Sequence, residues 1–241
     1  MNKWKQAALL ILTAAVLVLG GSLPFLAAAV QDARNQDAVR YGDMDTLTLT
    51  LRGGEAEPLD MFTKLLMLQR GEVVELAEEE TNATAYEELT AMADMALADY
   101  YNAGLLLFEP GGMELRGYTP FFLYLPGVPD ANAQMWVLEM MDPEGNMMNI
   151  VVDQETGKLI AMEYYTYLLT EKLGYDMESY GALLTEVYFS NLGLEPFAEQ
   201  DSVYDAGISR IYYLEQENYE NVVVHLIVQP DGIILTTGPA A

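Results

Sequence analysis

The sequence predicts an α+β protein with an N-terminal transmembrane helix followed by two units, each made of a helix and an antiparallel meander. Three observations support this. An uncharged apolar run near the N-terminus is long enough to cross a bilayer, a strand-and-turn pattern in residues 137–163 returns in residues 213–238, and helical spacing of apolar residues precedes each copy. We expect four segments: an anchor (residues 1–30), a polar stalk (31–42), a first α+β unit (43–166) and a second (167–241).

The start of the chain has the features of a membrane anchor. Lys3 and Lys5 precede residues 6–30, a run of 25 residues without a charged side chain. As a helix this run would be about 37 Å long, enough to span the apolar core of a bilayer. Because basic residues precede it and an acidic chain follows, we expect a single-pass protein of the cell membrane with a cytoplasmic N-terminus and an extracellular C-terminal domain. A cleaved signal peptide, with Ala27 and Ala29 at the cleavage site, is the alternative and exports the same residues.

The remaining elements follow from periodicity and turn residues. A helix should begin near Pro58 and stop at Gly71, and a second should run from Thr84 to just before Gly104. The helix after the first meander should span residues 177–192, with Asp176 as its N-cap. We expect strands at residues 46–51, 73–76, 113–125, 134–141, 147–154, 158–166, 209–214, 221–229 and 233–237.

The two meanders align without a gap when Leu138 is placed on Leu214. The alignment continues to Val152 and Val228 and contains four identities. The helix that precedes each meander ends alike, with an acidic residue, aromatic residues and then Gly-Leu. A tandem of two helix-and-meander units explains both similarities. The alternative is that two unrelated hairpins share turn residues.

The aligned strands predict which way the single histidine points. In residues 147–152 and 223–228 the even-numbered positions are apolar in both copies and should lie against a helix, whereas the odd positions carry Asn149 and His225. His225 should therefore project from the opposite, partly exposed face. A histidine base also needs an oriented nucleophile, and the sequence has neither a G-x-S-x-G nor an H-E-x-x-H motif. We expect no catalytic residue.

The chain after the apolar run is strongly acidic. From residue 31 onward nine basic residues face thirty-seven acidic ones, a net charge of −28. This charge disfavours nucleic acid and anionic lipid headgroups and favours basic partners or cations. The alternative is that it only keeps an exported protein soluble. Because the chain has no cysteine and one histidine, thiolate and histidine-rich metal sites are excluded, and we expect no cofactor and no bound metal.

Adjacent tyrosines in the predicted strands are candidate contact residues. Successive side chains of a strand point to opposite faces, so one ring of each pair can enter the core while the other stays at the surface. Tyrosine is also common at protein interfaces. The candidate binding surface, on an exposed sheet edge, comprises Tyr164, Tyr165, Tyr212, Tyr213 and His225. The alternative is that these tyrosines are ordinary residues at the margin of the core.

One segment resembles a known family. Residues 149–160, N-I-V-V-D-Q-E-T-G-K-L-I, look like the strand, D-x-x-T-G-[KE]-[IL] turn and strand that closes a PepSY domain, a small helix-plus-sheet module of bacterial cell-envelope proteins and protease propeptides. In the second copy the turn at residues 229–232 is a residue shorter and lacks the threonine. The resemblance implies a PepSY-like or cystatin-like fold. It also implies a non-catalytic extracytoplasmic module that binds or restrains another envelope protein, often a peptidase.

We therefore expect a membrane-anchored binding or regulatory module that engages another cell-envelope protein or an extracellular peptide, and we expect neither an enzyme nor a nucleic-acid-binding protein. Two alternatives remain. The first is an envelope hydrolase that uses two carboxylates brought together from distant positions. The second is a structural or sensory stalk without a soluble ligand. A close carboxyl pair in a cleft would favour the hydrolase.

Overall fold

The computed structural model describes residues 59–75, 83–125, 128–167, 169–204, 207–217 and 219–238. All of them belong to one compact unit. The predicted anchor, stalk and strand 46–51 lie outside the described residues. Within the described ranges, no helix has both the length and the apolar character needed to cross a membrane.

The described residues form four α-helices: α1 (Met61–Gln69), α2 (Ala83–Asn102), α3 (Leu169–Leu173) and α4 (Met177–Leu192). The bounds predicted for α4 are confirmed. The Asp176 carboxylate caps its start by accepting a hydrogen bond from the Ser179 amide at 2.7 Å, and Gly193 ends it with a φ of 70°. Helix α1 begins later than predicted, because Asp60 is its N-cap.

The described strands, nine in number, form one antiparallel sheet in the order β1-β2-β3-β4-β5-β9-β8-β7-β6. They are β1 (Val73–Glu75), β2 (Glu114–Leu125), β3 (Val128–Met141), β4 (Met147–Asp153), β5 (Leu159–Tyr165), β6 (Ala198–Tyr204), β7 (Gly207–Leu214), β8 (Val222–Gln229) and β9 (Gly232–Thr237). The α+β class is confirmed. Strand β6 was not predicted. Each of the two long helices, α2 and α4, is followed by four strands.

Strands β5 and β9 join the two halves of the sheet, with Met162 opposite Leu235. A single row of directly paired residues crosses both halves: Leu138, Ile150, Met162, Leu235, Leu226 and Arg210. The five apolar members are at most 1% exposed, and Arg210 is the one charged member. Residues on either side of the predicted boundary at 166/167 therefore share one sheet and one core.

The register corrects the sequence alignment in one strand. Leu138 pairs with Ile150, but Leu226, which the alignment equates with Ile150, pairs with Arg210 and not with Leu214. If β4 and β8 stay aligned, the alignment of β3 with β7 is therefore wrong by four residues. The reason is that the connections differ in length. Residues 214–222 lie between the paired residues Tyr213 and Val223, whereas residues 142–146 lie between the paired residues Met141 and Met147.

Helices α2 and α4 cover one face of the sheet. The even-numbered residues predicted to face a helix are fully buried in both β4 and β8, as Ile150 and Leu226 illustrate. Helix α4 lies so close that a Cβ added at Gly181 would be 2.6 Å from Ile208 Cδ1. The Tyr188 hydroxyl on the same helix donates a hydrogen bond to the Ile160 carbonyl at 2.8 Å. The predicted orientation of these strands is confirmed.

Helix α1 is enclosed on all sides at one end of the sheet, where β4 ends and β8 begins. Seven consecutive residues, 61–67, are buried. They include Lys64, whose ammonium lies 2.8 Å from Asp153 Oδ2 and 2.6 Å from Glu155 Oε2. At the end of the helix, Gln69 accepts a hydrogen bond from the Val223 amide at 2.7 Å. The ion pair thus fastens α1 to the turn between β4 and β5.

Candidate functional site

The structure separates the members of the predicted tyrosine surface. Tyr164 and Tyr212 are 0% and 3% exposed, whereas Tyr165 is 49% exposed and Tyr213 is half-buried. The expectation that one ring of each pair enters the core is confirmed. Tyr164 and Tyr212 are therefore wrong as exposed contact residues. The predicted edge location is wrong as well, because β5 lies between β4 and β9 and β7 lies between β8 and β6.

Tyr164 stabilises a turn. Its hydroxyl donates a hydrogen bond of 2.6 Å to Asp142 Oδ2. Asp142, 2% exposed, also accepts from the backbone amides of Glu144 and Asn146 at 2.8 and 2.9 Å in the turn between β3 and β4. Burial raises the pKa of Tyr164, and its hydrogen bond to Asp142 raises it further. Burial also acts to raise the pKa of Asp142, but the hydrogen bonds from Tyr164 and Asn146 outweigh it and hold that pKa below its usual value.

Replacing Tyr164 with phenylalanine should cost about 1.5–3 kcal/mol of unfolding free energy at neutral pH, because a buried carboxylate loses a donor. The folded-state pKa of Asp142 is depressed, so its stabilisation is present above the unfolded value near 3.8 and is lost as pH falls through the folded value. The difference between wild type and Tyr164→Phe should therefore shrink as pH falls below about 3.8. Urea unfolding at several pH values measures it, with Tyr165→Phe as the exposed control. A difference that stays constant with pH would show that Tyr164 acts by packing alone.

His225 occupies the face opposite the helices, as predicted. It is half-buried, and its cross-strand neighbours are Ile211 and Thr236. Its Nε2 atom is buried and forms no hydrogen bond with any described residue. An apolar side chain and a half-buried hydroxyl do not make an acid–base constellation, so the geometry around His225 favours a structural role.

A groove of about 730 Å³ lies beside the edge of the sheet, between α4 and strands β6 and β7. Arg210 and Tyr212 of β7 form its floor. Phe189 of α4 forms part of one wall and Glu199 of β6 part of the other, and residues 193–196 after α4 also line the groove. Of the predicted tyrosines, Tyr212 alone lines it.

Arg210 is held in the floor by carboxylates on two elements. Its side chain is 7% exposed and pairs with Glu178 at the start of α4. Its Nε atom lies 3.3 Å from Asp201 Oδ1 and 3.5 Å from Glu199 Oε1, both on β6. Burial acts to lower the pKa of Arg210, but Tyr212, Glu178 and Asp201 outweigh it and raise that pKa above its usual value. The guanidinium therefore stays charged despite its burial.

Tyr212 ties the floor of the groove to α4. Its hydroxyl lies 3.0 Å from Thr185 Oγ1, and its ring meets the ring of Phe189 edge-on at 5.2 Å. Thr185 already donates its one hydroxyl proton to the Gly181 carbonyl at 2.7 Å. Tyr212 must therefore be the donor to Thr185. Burial raises the pKa of Tyr212, so the hydroxyl keeps the proton that this bond requires.

Negative charge predominates around the groove. Glu186, Glu195 and Glu199 line it and are exposed, and Glu178 and Asp201 pair with its arginine. These five carboxylates face one guanidinium, a net charge of −4. Exposed carboxylates that are not neutralised by the protein attract cations and repel anions. The groove is therefore suited to a basic ligand.

A carboxyl group with a raised pKa lies outside the groove. Asp94 is a carboxyl whose pKa is raised, by burial first and by the charge of Glu109 second, but it belongs to α2 and does not line the groove. Within the described part of the chain, no group of three or more His, Cys, Asp or Glu side chains could hold a metal ion. Three acids at the groove, Glu178, Glu199 and Asp201, pair with Arg210.

No protein-family model, curated protein or solved structure matches the chain. The PepSY-like turn can still be assigned a role within this fold. Its first residue, Asp153, is fully buried and accepts a hydrogen bond from Lys64, and Thr156 Oγ1 donates to the same carboxylate oxygen at 2.5 Å. Gly157 turns the chain with a φ of 66°. The motif residues are therefore occupied in fastening α1.

Sequence reasoning missed the residues that define the groove. Arg210 stands among Ile208, Tyr212 and Leu214 at the inward positions of β7, where a core strand should carry apolar residues. An arginine at such a position is the signal that could have identified the site, because charged residues are almost never fully buried unless they are paired. Glu199 offered no such signal, since it lies in the strand that was not predicted.

Proposed function

We propose that this protein is a non-catalytic, membrane-anchored extracytoplasmic module that binds a basic segment of another cell-envelope protein or of an extracellular peptide. The observation that carries the proposal is the charge of the groove between α4 and β6, where five carboxylates face one arginine. A guanidinium or ammonium group of a ligand would meet exposed carboxylates on both walls. Such complementarity raises association rates and selects against acidic competitors.

We also propose that the described region consists of two helix-and-meander units joined through β5 and β9. The identical order of one long helix and four strands supports this, as does the pairing of the last strand of each set. In this arrangement Arg210 takes the place that Leu138 has in the first unit, because Leu138 on β3 pairs with Ile150 of β4 and Arg210 on β7 pairs with Leu226 of β8 in the same row of paired residues. The groove would then be a feature of the second unit alone.

The proposed anchor gives the module its place of action. Residues 1–30 would hold the chain in the membrane and residues 31–42 would separate the module from it. Anionic lipid headgroups and the acidic module repel each other, so the membrane surface itself is a poor ligand for the groove. A basic protein segment presented near the membrane matches both the location and the charge.

Peptide binding tests the proposal. The detergent-solubilised full chain is titrated into a labelled seven-residue peptide of alternating lysine and valine, and into the glutamate–valine counterpart, with fluorescence anisotropy as the readout. We expect the lysine peptide to bind, its affinity to fall as salt rises from about 50 to about 300 mM, and the glutamate peptide not to bind. Absence of binding by the lysine peptide would refute the proposal.

A matched pair of charge variants locates the binding. The triple variant Glu186→Gln, Glu195→Gln, Glu199→Gln should bind about tenfold more weakly, since three exposed ion pairs at about 0.5 kcal/mol each are removed. The control variant Glu87→Gln, Glu88→Gln, Glu171→Gln has the same change in net charge at exposed positions outside the groove and should keep wild-type affinity. An equal loss in both variants would mean that the peptide responds to overall charge.

A further inference from the structure

We infer that the basic segment binds as an extended strand added to the free edge of β6, an inference that rests on the proposed function. Strand β6 pairs with β7 on one side, and within the described ranges nothing pairs with it on the other. A free strand edge presents unpaired backbone donors and acceptors that a peptide can use. The groove opens directly beside this edge, because Glu199 of β6 is part of its wall.

The pairing of β6 with β7 fixes which side chains an added strand would meet. Glu199 pairs with Tyr212 and Asp201 with Arg210, so both acids lie on the face that α4 covers. Paired residues on adjacent strands point to the same face with Cβ atoms about 5 Å apart. Ligand residues opposite Glu199 and Asp201 would therefore enter the groove. These positions are two apart, which selects a basic residue at every second position of the ligand.

The groove accommodates the rest of a long basic side chain. Phe189 and Leu194 line it beside the acids and provide apolar surface. The methylene groups of lysine or arginine can pack on such surface while the charged end reaches a carboxylate. Residues between the basic ones would lie on the opposite face of the sheet, where Tyr213 and Phe197 contact each other with ring centroids 6.3 Å apart. An alternating basic and apolar segment matches both faces.

Arg210 leaves Glu199 and Asp201 of β6 free to bind a ligand. Its Nε atom is buried and makes no hydrogen bond with any described residue, although Asp201 and Glu199 lie within ion-pairing distance. The two carboxylates therefore balance the charge of Arg210 without accepting a hydrogen bond from its Nε atom. Their side chains are 51% and 45% exposed and can turn to an incoming cation.

The same acids select against the wrong partner. A second copy of this chain pairing antiparallel through β6, with Gln200 at the centre, would place Glu199 of each copy opposite Asp201 of the other. Like charges on neighbouring strands are destabilising, and natural sheets protect their edges in this way. A basic strand in the same place would instead be attracted by Glu199 and Asp201.

Two N-methylated peptides test the binding mode. In an added strand, the amides of alternate residues face the neighbouring strand, so methylation should matter at one set of positions only. The lysine–valine heptapeptide is methylated at its second, fourth and sixth amides in one version and at its third, fifth and seventh in the other. We expect one version to lose at least about tenfold in affinity, because three hydrogen bonds worth roughly 1 kcal/mol each are blocked. The other version should bind within about twofold of the parent peptide.

The outcomes separate the two proposals. Equal affinities for the two methylated peptides would overturn strand addition, while binding by the parent peptide and its loss in the groove variant would still support the proposed function. If the parent peptide does not bind at all, the proposed function fails and the strand model fails with it. The comparison of the two methylated peptides uses the unmodified full chain, so it does not depend on the folding of a variant.

Discussion

Replacing Lys64 with methionine should lower the free energy of unfolding by about 3–5 kcal/mol. Lys64 and Asp153 are both 0% exposed, and the variant leaves the Asp153 carboxylate in the interior without its cation. Methionine is similar in length and unbranched, so the loss reflects the unpaired charge more than a change in packing. Urea unfolding monitored by circular dichroism would show the effect as a lower transition midpoint at an unchanged slope.

Two further variants identify the cause. Arg70→Met removes an exposed ion pair with Glu220 at the end of the same helix, 38% and 51% exposed, and should cost less than about 1 kcal/mol. The double variant Lys64→Met, Asp153→Leu should recover much of the stability, because no buried charge is then left unpaired. If Lys64→Met cost no more than Arg70→Met, the buried ion pair would not be what fastens α1.

Replacing Gly232 with alanine should destabilise the protein by about 2–3 kcal/mol through overpacking. An added Cβ would lie 2.5 Å from the Tyr164 carbonyl oxygen, a backbone atom that cannot rotate away. Relief would require β9 to move from β5 at the point where the two halves of the sheet join. We therefore expect faster amide hydrogen exchange in β5 and β9 along with the lower stability.

Gly238 provides the matched control six residues further on. No atom lies within 4 Å of a Cβ placed there, so Gly238→Ala should change stability by less than about 0.5 kcal/mol. Similar stabilities for the two alanine variants would show that β5 and β9 can move apart here without a loss of unfolding free energy.

The parts of the fold that depend on local signals could be predicted. Helix α4 has an aspartate at its start and a left-handed glycine at its end, and its bounds were correct to the residue. The helix-facing positions of β4 and β8 followed from alternation alone. Strand β6 could not be found this way, because Glu199, Gln200 and Asp201 are all exposed and give no alternation. Its strand conformation depends on β7, which is a tertiary contact.

Long-range contacts explain why the groove and the burial of α1 were missed. The burial of Lys64 depends on its ion pair with Asp153. This partner lies 89 residues away in the chain, so local sequence patterns do not reveal the pair. Arg210 escaped attention because the ungapped alignment equated Leu138 with Leu214, four residues from Arg210, the residue that pairs with Leu226 in the sheet. An alignment with a gap in the connection between β7 and β8 would have equated Arg210 with the core residue Leu138. That mismatch would have identified the site.

The enclosure of α1 has a mechanical consequence for the proposed anchored protein. Helix α1, whose residues 61–67 are all buried, is the first described helix after the predicted anchor and stalk in the sequence. In the proposed anchored protein, tension that reached α1 would be carried by the interior of the domain and by the Lys64 ion pair. Pulling α1 out would therefore require the core itself to open.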